Sequence, residues 1–414
     1  MTAELAHGRL AGLDEISGVG SDAQRGGYSR HLWQHADMEL RGWFVDRATR
    51  IGLDIETDRN GNLWAWWGTP GANAVVTGSH LDSVPGGGAY DGPLGVVSAL
   101  DAVARLKATG FVPCRPVAIL VFAEEEGSRF GIACLGSRLM TGAIDADIAR
   151  ALTDSDGITL AGAASAAELD AARLGTDPVA LGRIGVFIEL HIEQGRGLID
   201  LGSPIALAGS ILAHGRWRID FTGQGNHAGT TAMQHRRDPM VAAALAIVAV
   251  RDASLASPGS RATVGRLFAV PGGTNVIASS VTASLDARAG SSEQARAMVD
   301  DIRSRVENIA AESGCCGTIT EQSWGDLVTF DADLNSGLSS TLGDIPILES
   351  GAGHDAGILA SRVPSAMLFV RNPTGISHAP AEFAEADDTL AGITALEQLL
   401  RSLLSSPVLR KTER

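Results

Sequence analysis

Histidines and carboxylates stand at the ends of apolar runs in this sequence, in the mixture that holds divalent cations. His80 opens HLDSVPGGGAYDG, with Asp82 two residues on and Asp91 eleven residues on, across a glycine-rich turn. An imidazole suits zinc- or manganese-type ions, and a carboxylate can bridge two of them. Asp82 is placed to hydrogen-bond the second nitrogen of the histidine. Asp91 also precedes Gly-Pro and a helix, so an N-cap is its competing role. Glu124, Glu125 and Glu126 end the run 117–123, where three like charges are costly unless a cation or solvent relieves them. One carboxylate would ligate while its neighbour takes the proton of a water and returns it to a leaving nitrogen. A solvated acidic turn balanced by Arg129 is the alternative. His191, in ELHIEQG, and His378, in GISHAPAE, each read singly as ordinary core or turn residues. Together His80, Asp91, Glu126, His191 and His378 supply one bridging ligand and two further ligands for each of two ions about 3.5–4 Å apart, with Glu125 left as base.

A second group of polar residues lies further on. GQGNHAGTTAM carries Asn226 and His227, GGTNVIAS carries Asn275, and LDAR carries Arg288. Neutral His and Asn suit a developing oxyanion, and Arg suits bidentate capture of a carboxylate. Turn chemistry is the competing role of the Asn residues. In GAGHDA, His354 and Asp355 either shape the site or cap the next helix.

The elements that must position these groups follow from the apolar pattern. Runs at 74–77, 117–123, 184–190 and 366–370, separated by helical stretches such as 95–106, predict buried strands of a largely parallel sheet flanked by helices. Such α/β sheets bind ligands beyond the carboxyl ends of their strands, where the His and Glu residues fall. The middle of the chain differs. Strands at 217–221, 263–270, 281–288 and 318–322, with helices at 239–252 and 294–311, give the order βαββαβ of a ferredoxin-like α+β domain. The expected organisation is a metal-binding catalytic domain, 1–212 and 327–414, with an inserted domain, 213–326. The catalytic domain closes with an amphipathic helix through Leu390, Ile393, Leu396, Leu400 and Leu403. The alanine-rich stretch 161–172 reads as an ordinary helix.

Composition narrows the classes. A chain of 414 residues exceeds the usual limit of one core, and 45% hydrophobic with 20% charged residues is globular. No uninterrupted apolar run approaches the roughly 20 residues of a bilayer span, so no membrane partner is expected. The amino terminus lacks a basic then apolar leader pattern, which makes the cytoplasm the expected compartment. Four cysteines without CxxC spacing give neither a disulfide framework nor a thiolate metal site. The net charge of −15 argues against nucleic acid and anionic lipid as partners.

The motifs GSHLDSVPGGGAYDGPLG, AEEEGSRFG, ELHIEQG, GQGNHAGTT, TNVI, LDAR, SGAGHDA and GISHAPAE occur in this order over most of the chain. In that set the sequence resembles the dinuclear metal amidohydrolases of the allantoate amidohydrolase and N-carbamoyl-L-amino-acid hydrolase branch, relatives of aminoacylases and carboxypeptidase-G-type peptidases. The resemblance implies that His80 and His191 bind one ion, Glu126 and His378 the other, and that Asp91 bridges them. The ions would be Zn2+ or Mn2+, with Co2+ or Ni2+ as further options. Glu125 becomes the general base, and Gln194, Asn275 and Arg288 become substrate-binding residues. His227 would reach the active site of a partner subunit in a homodimer formed by the inserted domain, which would also act as a lid. Departures bear on substrate. His214 replaces a glutamine entering the small domain, Ala232 replaces a proline, and RNPTG, residues 371–375, replaces a PS-containing loop. The implied reaction is hydrolysis of a linear C–N bond in a small ureido or N-carbamoyl carboxylate. Allantoate is the first choice and an N-carbamoyl-L-amino acid the second, with N-formyl and N-acyl amino acids after them. A binding protein that has lost catalysis on this fold is the remote alternative, and the retained Glu125 argues against it.

Overall fold

The computed structural model describes residues 5–6 and 9–406. It contains two compact units: a larger one that ends at Ser210 and resumes at Thr329, and a smaller one, Ile211–Val328. In chain order the strands are β1 (Leu5–Ala6), β2 (Arg9–Leu10), β3 (Asp54–Thr57), β4 (Leu63–Trp67), β5 (Ala74–His80), β6 (Val117–Phe122), β7 (Ile184–Ile192), β8 (Ile205–Ile211), β9 (Ala213–Thr222), β10 (Asn226–His227), β11 (Arg261–Val270), β12 (Val276–Ile277), β13 (Ser280–Ala289), β14 (Cys316–Gly325), β15 (Val328–Thr329), β16 (Ile347–Ser350) and β17 (Ser365–Val370).

The large sheet runs β15-β8-β17-β7-β5-β6-β4-β3, with β16 on β8. Its middle, β17-β7-β5-β6, is parallel, and β8, β4 and β3 join the flanks antiparallel. Every residue of β5, β6 and β17 is buried. This is why the runs are continuously apolar instead of alternating: both faces of the parallel core are covered. The helix Pro93–Ala108 begins with proline, whose missing N–H costs nothing in the first turn. It packs against β5, β7 and the helix Ala386–Leu404. That last helix buries Ile393, Leu396, Leu399, Leu400 and Leu404, each side chain contributing about 1.5–3 kcal/mol on leaving water. Register aligns His80 with Phe122 and His191 with Phe369. The chemistry-bearing residues therefore emerge together at the carboxyl ends of four adjacent strands.

The smaller unit is an antiparallel sheet of order β11-β13-β9-β14. Trp217, Ile219 and Phe221 alternate inward along β9 and share one core with the helices Pro239–Ala256 and Ser292–Glu312. Among the described residues, Pro239–Ala256 is the one helix with the length and hydropathy of a membrane span. Its Ala242, Ala243, Ala246, Val250 and Ala253 face is buried in this core. The stretch 161–172 is not one helix. It stops at Ala166, Glu168 takes a left-handed φ of 63°, and the Asp170 carboxylate caps a separate 3-10 turn, Ala171–Arg173. Asp170 competes with the helix by accepting from the Ala172 N–H.

Candidate metal centre

His80 is fully buried, and its ring orientation is set from behind. Nδ1 lies 3.1 Å from the Asp82 carbonyl, so it donates there and leaves the Nε2 lone pair pointing inward. Nε2 is 3.5 Å from Asp91 Oδ1 and 3.7 Å from Glu125 Oε2. His191 repeats the device: Nδ1 donates to the Ile192 carbonyl at 2.9 Å, and Nε2 is 3.2 Å from the same Asp91 Oδ1. The other Asp91 oxygen, Oδ2, is 3.4 Å from His378 Nε2, which is 3.5 Å from Glu126 Oε2. Two trios result, His80–Asp91–His191 and Asp91–Glu126–His378, each with ligand atoms within 4.8 Å of one another. The Nε2 atoms of His80 and His191 and Oε1 of Glu126 are buried without a hydrogen-bond partner. Buried lone pairs of this kind are costly unless satisfied. Convergent imidazole and carboxylate donors sharing one bridging carboxylate fit a pair of divalent cations.

The surroundings hold this geometry. Asp91 is not an N-cap: the helix begins after Gly92 without a side-chain cap. Gly92 has φ 83°, and a Cβ there would meet the His80 ring at 2.5 Å. The Asp82 carboxylate lies 3.6 Å from His80 Nδ1, and its stronger contacts are with the Glu125 and Glu126 N–H groups, at 3.1 and 3.0 Å. Its carboxylate thus clamps the turn that carries Glu125 and Glu126. Glu124 points away from the site, where its Oε1 accepts from the Arg129 and Phe130 N–H groups, and Arg129 pairs with Asp154 at 3.0 Å. Glu124 and His378 hold left-handed φ values of 54° and 56°. Strain of this kind, about 1–3 kcal/mol each, gathers at functional sites.

Charge is concentrated here. Burial holds Glu125 well above the ordinary carboxylate range, with Glu126, Asp355 and Asp82 adding to the rise and His80 opposing it. Burial and then Asp91 likewise raise Glu126. Burial would also raise Asp91, but hydrogen bonds with His191 and His80 outweigh it and keep this carboxylate well below the usual range. Burial, then His191, keeps His354 neutral. Its ring centroid lies 4.5 Å from that of His191, so His354 backs that imidazole as well as starting the helix Asp355–Leu359. Gln194 donates from Nε2 to Asp91 Oδ2 at 2.7 Å and lies 3.2 Å from His378 Nε2, at the second trio.

Three residues at the site carried no readable signal. Cys134, buried with φ 54°, places Sγ 3.4 Å from Glu125 Oε1. Ser377 Oγ lies 3.3 Å from Asp91 Oδ2. Glu382 accepts from the Tyr90 and Asp91 N–H groups at 3.1 and 2.9 Å. Ser377 and Glu382 are part of GISHAPAE, where sequence alone singled out only the histidine.

Four candidates belong to the smaller unit. His227, on β10, is exposed, and its Nδ1 accepts from the Gly229 N–H at 3.0 Å, so a neutral ring carries its proton on Nε2. Asn275 lies beside it, its carbonyl accepting from the Ala228 N–H. His214 sits opposite Arg288 across β9 and β13. Its Nδ1 faces the Leu212 carbonyl at 3.0 Å, giving the opposite tautomer with Nε2 an acceptor. Arg288 makes a paired contact with Asp286, at 2.8 and 3.0 Å.

A two-trio centre of His and carboxylates beyond a parallel sheet, with a spare buried glutamate, defines a metallohydrolase. The model of peptidase family M20/M25/M40 matches residues 76–402, and the chain belongs to this family of metal-dependent hydrolases. It is 35% identical over 390 residues to the N-carbamoyl-L-amino acid amidohydrolase of Geobacillus stearothermophilus, covering 93% of this chain and 95% of that one. Identity to the allantoate amidohydrolase of Bacillus subtilis is 33% over 404 residues, covering 94% and 96%. A solved hydantoinase/carbamoylase-family amidase from Burkholderia vietnamiensis superposes with a TM-score of 0.85 at 30% identity, covering 96% of each chain. The chain is accordingly an amidohydrolase acting on C–N bonds.

Proposed function

We propose that this protein hydrolyses the ureido C–N bond of a small α-ureido carboxylate, with allantoate first and N-carbamoyl-L-amino acids second. The observation that carries the reaction type is the buried Glu125 carboxylate, 3.7 Å from the free Nε2 of His80 yet outside both ligand trios. The substrate class rests on what allantoate and N-carbamoyl amino acids have in common, an NH2–CO–NH group on the carbon that bears a carboxylate.

His80 and His191 with Asp91 would hold one cation, and Glu126 and His378 with Asp91 a second. Bound there, divalent ions supply Lewis-acid polarisation and acidify water. Imidazole donors suit zinc and carboxylate donors suit manganese, and this set contains both. Glu125 takes the proton of the attacking water and passes it to the departing nitrogen as the C–N bond breaks. Asp82 keeps Glu125 in register by holding its N–H. The Nε2–H of His227 is suited to the oxyanion, and Arg288 to the substrate carboxylate after exchanging Asp286 for it. Gln194 and the acceptor Nε2 of His214 are suited to the ureido N–H groups.

A second copy of the chain belongs to this reading. Eight residues of strand, roughly 26 Å at about 3.3 Å each, separate His214 from Thr222, and His227 lies further along. His214 and Arg288 pair at one end of the four-stranded sheet, whereas His227 belongs to a separate two-stranded sheet, β10-β12, beyond Thr222, and this separation favours a site to which two chains contribute. The edge strand β11 exposes Leu267 and Phe268, and the helix Pro239–Ala256 exposes Val241, Leu245 and Val248. An apolar face of that size is suited to a like face on a partner.

The test offers manganese- or zinc-loaded protein allantoate and N-carbamoyl-L-amino acids, read as ammonia release, and N-formyl and N-acetyl amino acids and dipeptides, read as free amino acid formed. Turnover of ureido acids without dipeptide cleavage is expected. Turnover confined to acyl compounds or peptides refutes the substrate class.

A further inference from the structure

Glu382 lies 291 residues from Asp91 in sequence, yet its buried carboxylate grips the loop that carries it. Oε1 accepts the N–H groups of Tyr90 and Asp91. Oε2 is 3.2 Å from Ser377 Oγ, and that hydroxyl is also 3.3 Å from Asp91 Oδ2. One hydroxyl proton thus serves two carboxylates, and Glu382 restrains Asp91 from both its backbone and its side chain. The neighbouring loop is cut to fit: a Cβ on Gly88 would collide with the Glu382 carboxylate. The same contacts join the loop after β5, which carries Asp91, to the loop after β17, which carries His378.

We propose that Glu382 is a positioning residue of the metal centre, setting Asp91 against His378 so that one carboxylate can serve both trios. This rests on the metal-binding reading above. Asp91 belongs to both trios, so loosening it weakens both. Groups that orient ligands commonly change metal affinity by about 10–100-fold when removed.

The experiment is chelator competition with Mn2+ or Zn2+ on full-length wild type, Glu382→Ala, Glu382→Gln and Ser377→Ala, with bound ion per subunit as the readout. Far-UV circular dichroism of the metal-free proteins confirms that each is folded. Glu382→Ala should lose about 10–100-fold in affinity. Glu382→Gln keeps one carbonyl oxygen for the two N–H groups and should lose less, and Ser377→Ala should lose a few-fold. A merely structural role would lower the melting temperature and leave affinity unchanged. Affinity within twofold of wild type in Glu382→Ala overturns the proposal. If that variant does not fold, unchanged affinity in both of the others does so. A wild type that binds no divalent ion refutes the metal reading itself, a separate outcome.

Discussion

Replacing Glu125 with glutamine removes one ionisable oxygen and almost nothing else. The side chain keeps its volume, the backbone N–H remains on Asp82, and the retained carbonyl oxygen still faces Cys134 Sγ. Both ligand trios are untouched, since neither contains Glu125. The loss should therefore fall on proton transfer alone. General-base catalysis contributes about 10²–10⁴-fold, equivalent to roughly 2.7–5.4 kcal/mol of barrier at about 1.36 kcal/mol per decade. Initial rates of ammonia release should show kcat reduced by that factor with KM changed by less than about threefold, and with bound metal equal to wild type by elemental analysis. A kcat within threefold of wild type would refute the assignment of Glu125. A large loss accompanied by loss of metal would show that Glu125 ligates.

Other expectations follow from the same geometry. Asp82→Ala leaves the Glu125 and Glu126 N–H groups without their acceptor, at about 1–3 kcal/mol for each buried donor, so thermal denaturation should show a clear drop in Tm. An unchanged Tm and rate contradict the clamp. Burial, and then Asp82, pushes Glu124 up to about 8, while burial, and then Asp91, pushes Glu382 up to about 7. Carboxylates raised in the folded state favour it when protonated, so their contribution is present below the ordinary value near 4.5 and fades as pH rises towards 8. His80 and His191, raised too, act in the same direction, and Asp91 and His354 oppose it. Chelated protein should lose Tm between pH 5 and pH 8, with metal-loaded protein losing less. Equal slopes contradict this. Phe268→Asp, at an exposed position, should shift light-scattering mass from dimer to monomer. Mixing inactive His227→Ala and Glu125→Gln should restore roughly a quarter of the wild-type activity if subunits exchange at random across a two-fold, and no recovery argues against a shared site.

Much of the candidate metal centre was legible because its residues end apolar runs. His80 follows AVVTGS and Glu124–Glu126 follow VAILVFA, and a buried parallel strand leaves its polar groups at its carboxyl end. The ferredoxin-like order of the smaller unit was legible for a similar reason, the alternation of Trp217, Ile219 and Phe221. What stayed hidden depends on contacts between distant segments. Nothing in a glutamate after HAPA announces that it meets an N–H 291 residues away. Asp82 does lie beside His80, but it is its backbone carbonyl that meets Nδ1, and its carboxylate serves the Glu125–Glu126 turn through long-range pairing that spacing does not encode. The flanking strands β3, β4 and β8 were not distinguished, since antiparallel additions to a parallel core leave no separate period. The alanine-rich stretch misled because helix propensity is weaker than the local hydrogen bond of Asp170.

The most direct test of the metal centre is an anomalous-difference map from crystals grown with zinc. Two peaks are expected, each about 2.0–2.2 Å from its nitrogen and oxygen ligands. One should be bounded by His80 and His191, the other by Glu126 and His378, with Asp91 between them. Peaks elsewhere, or none within reach of Asp91, would contradict this arrangement.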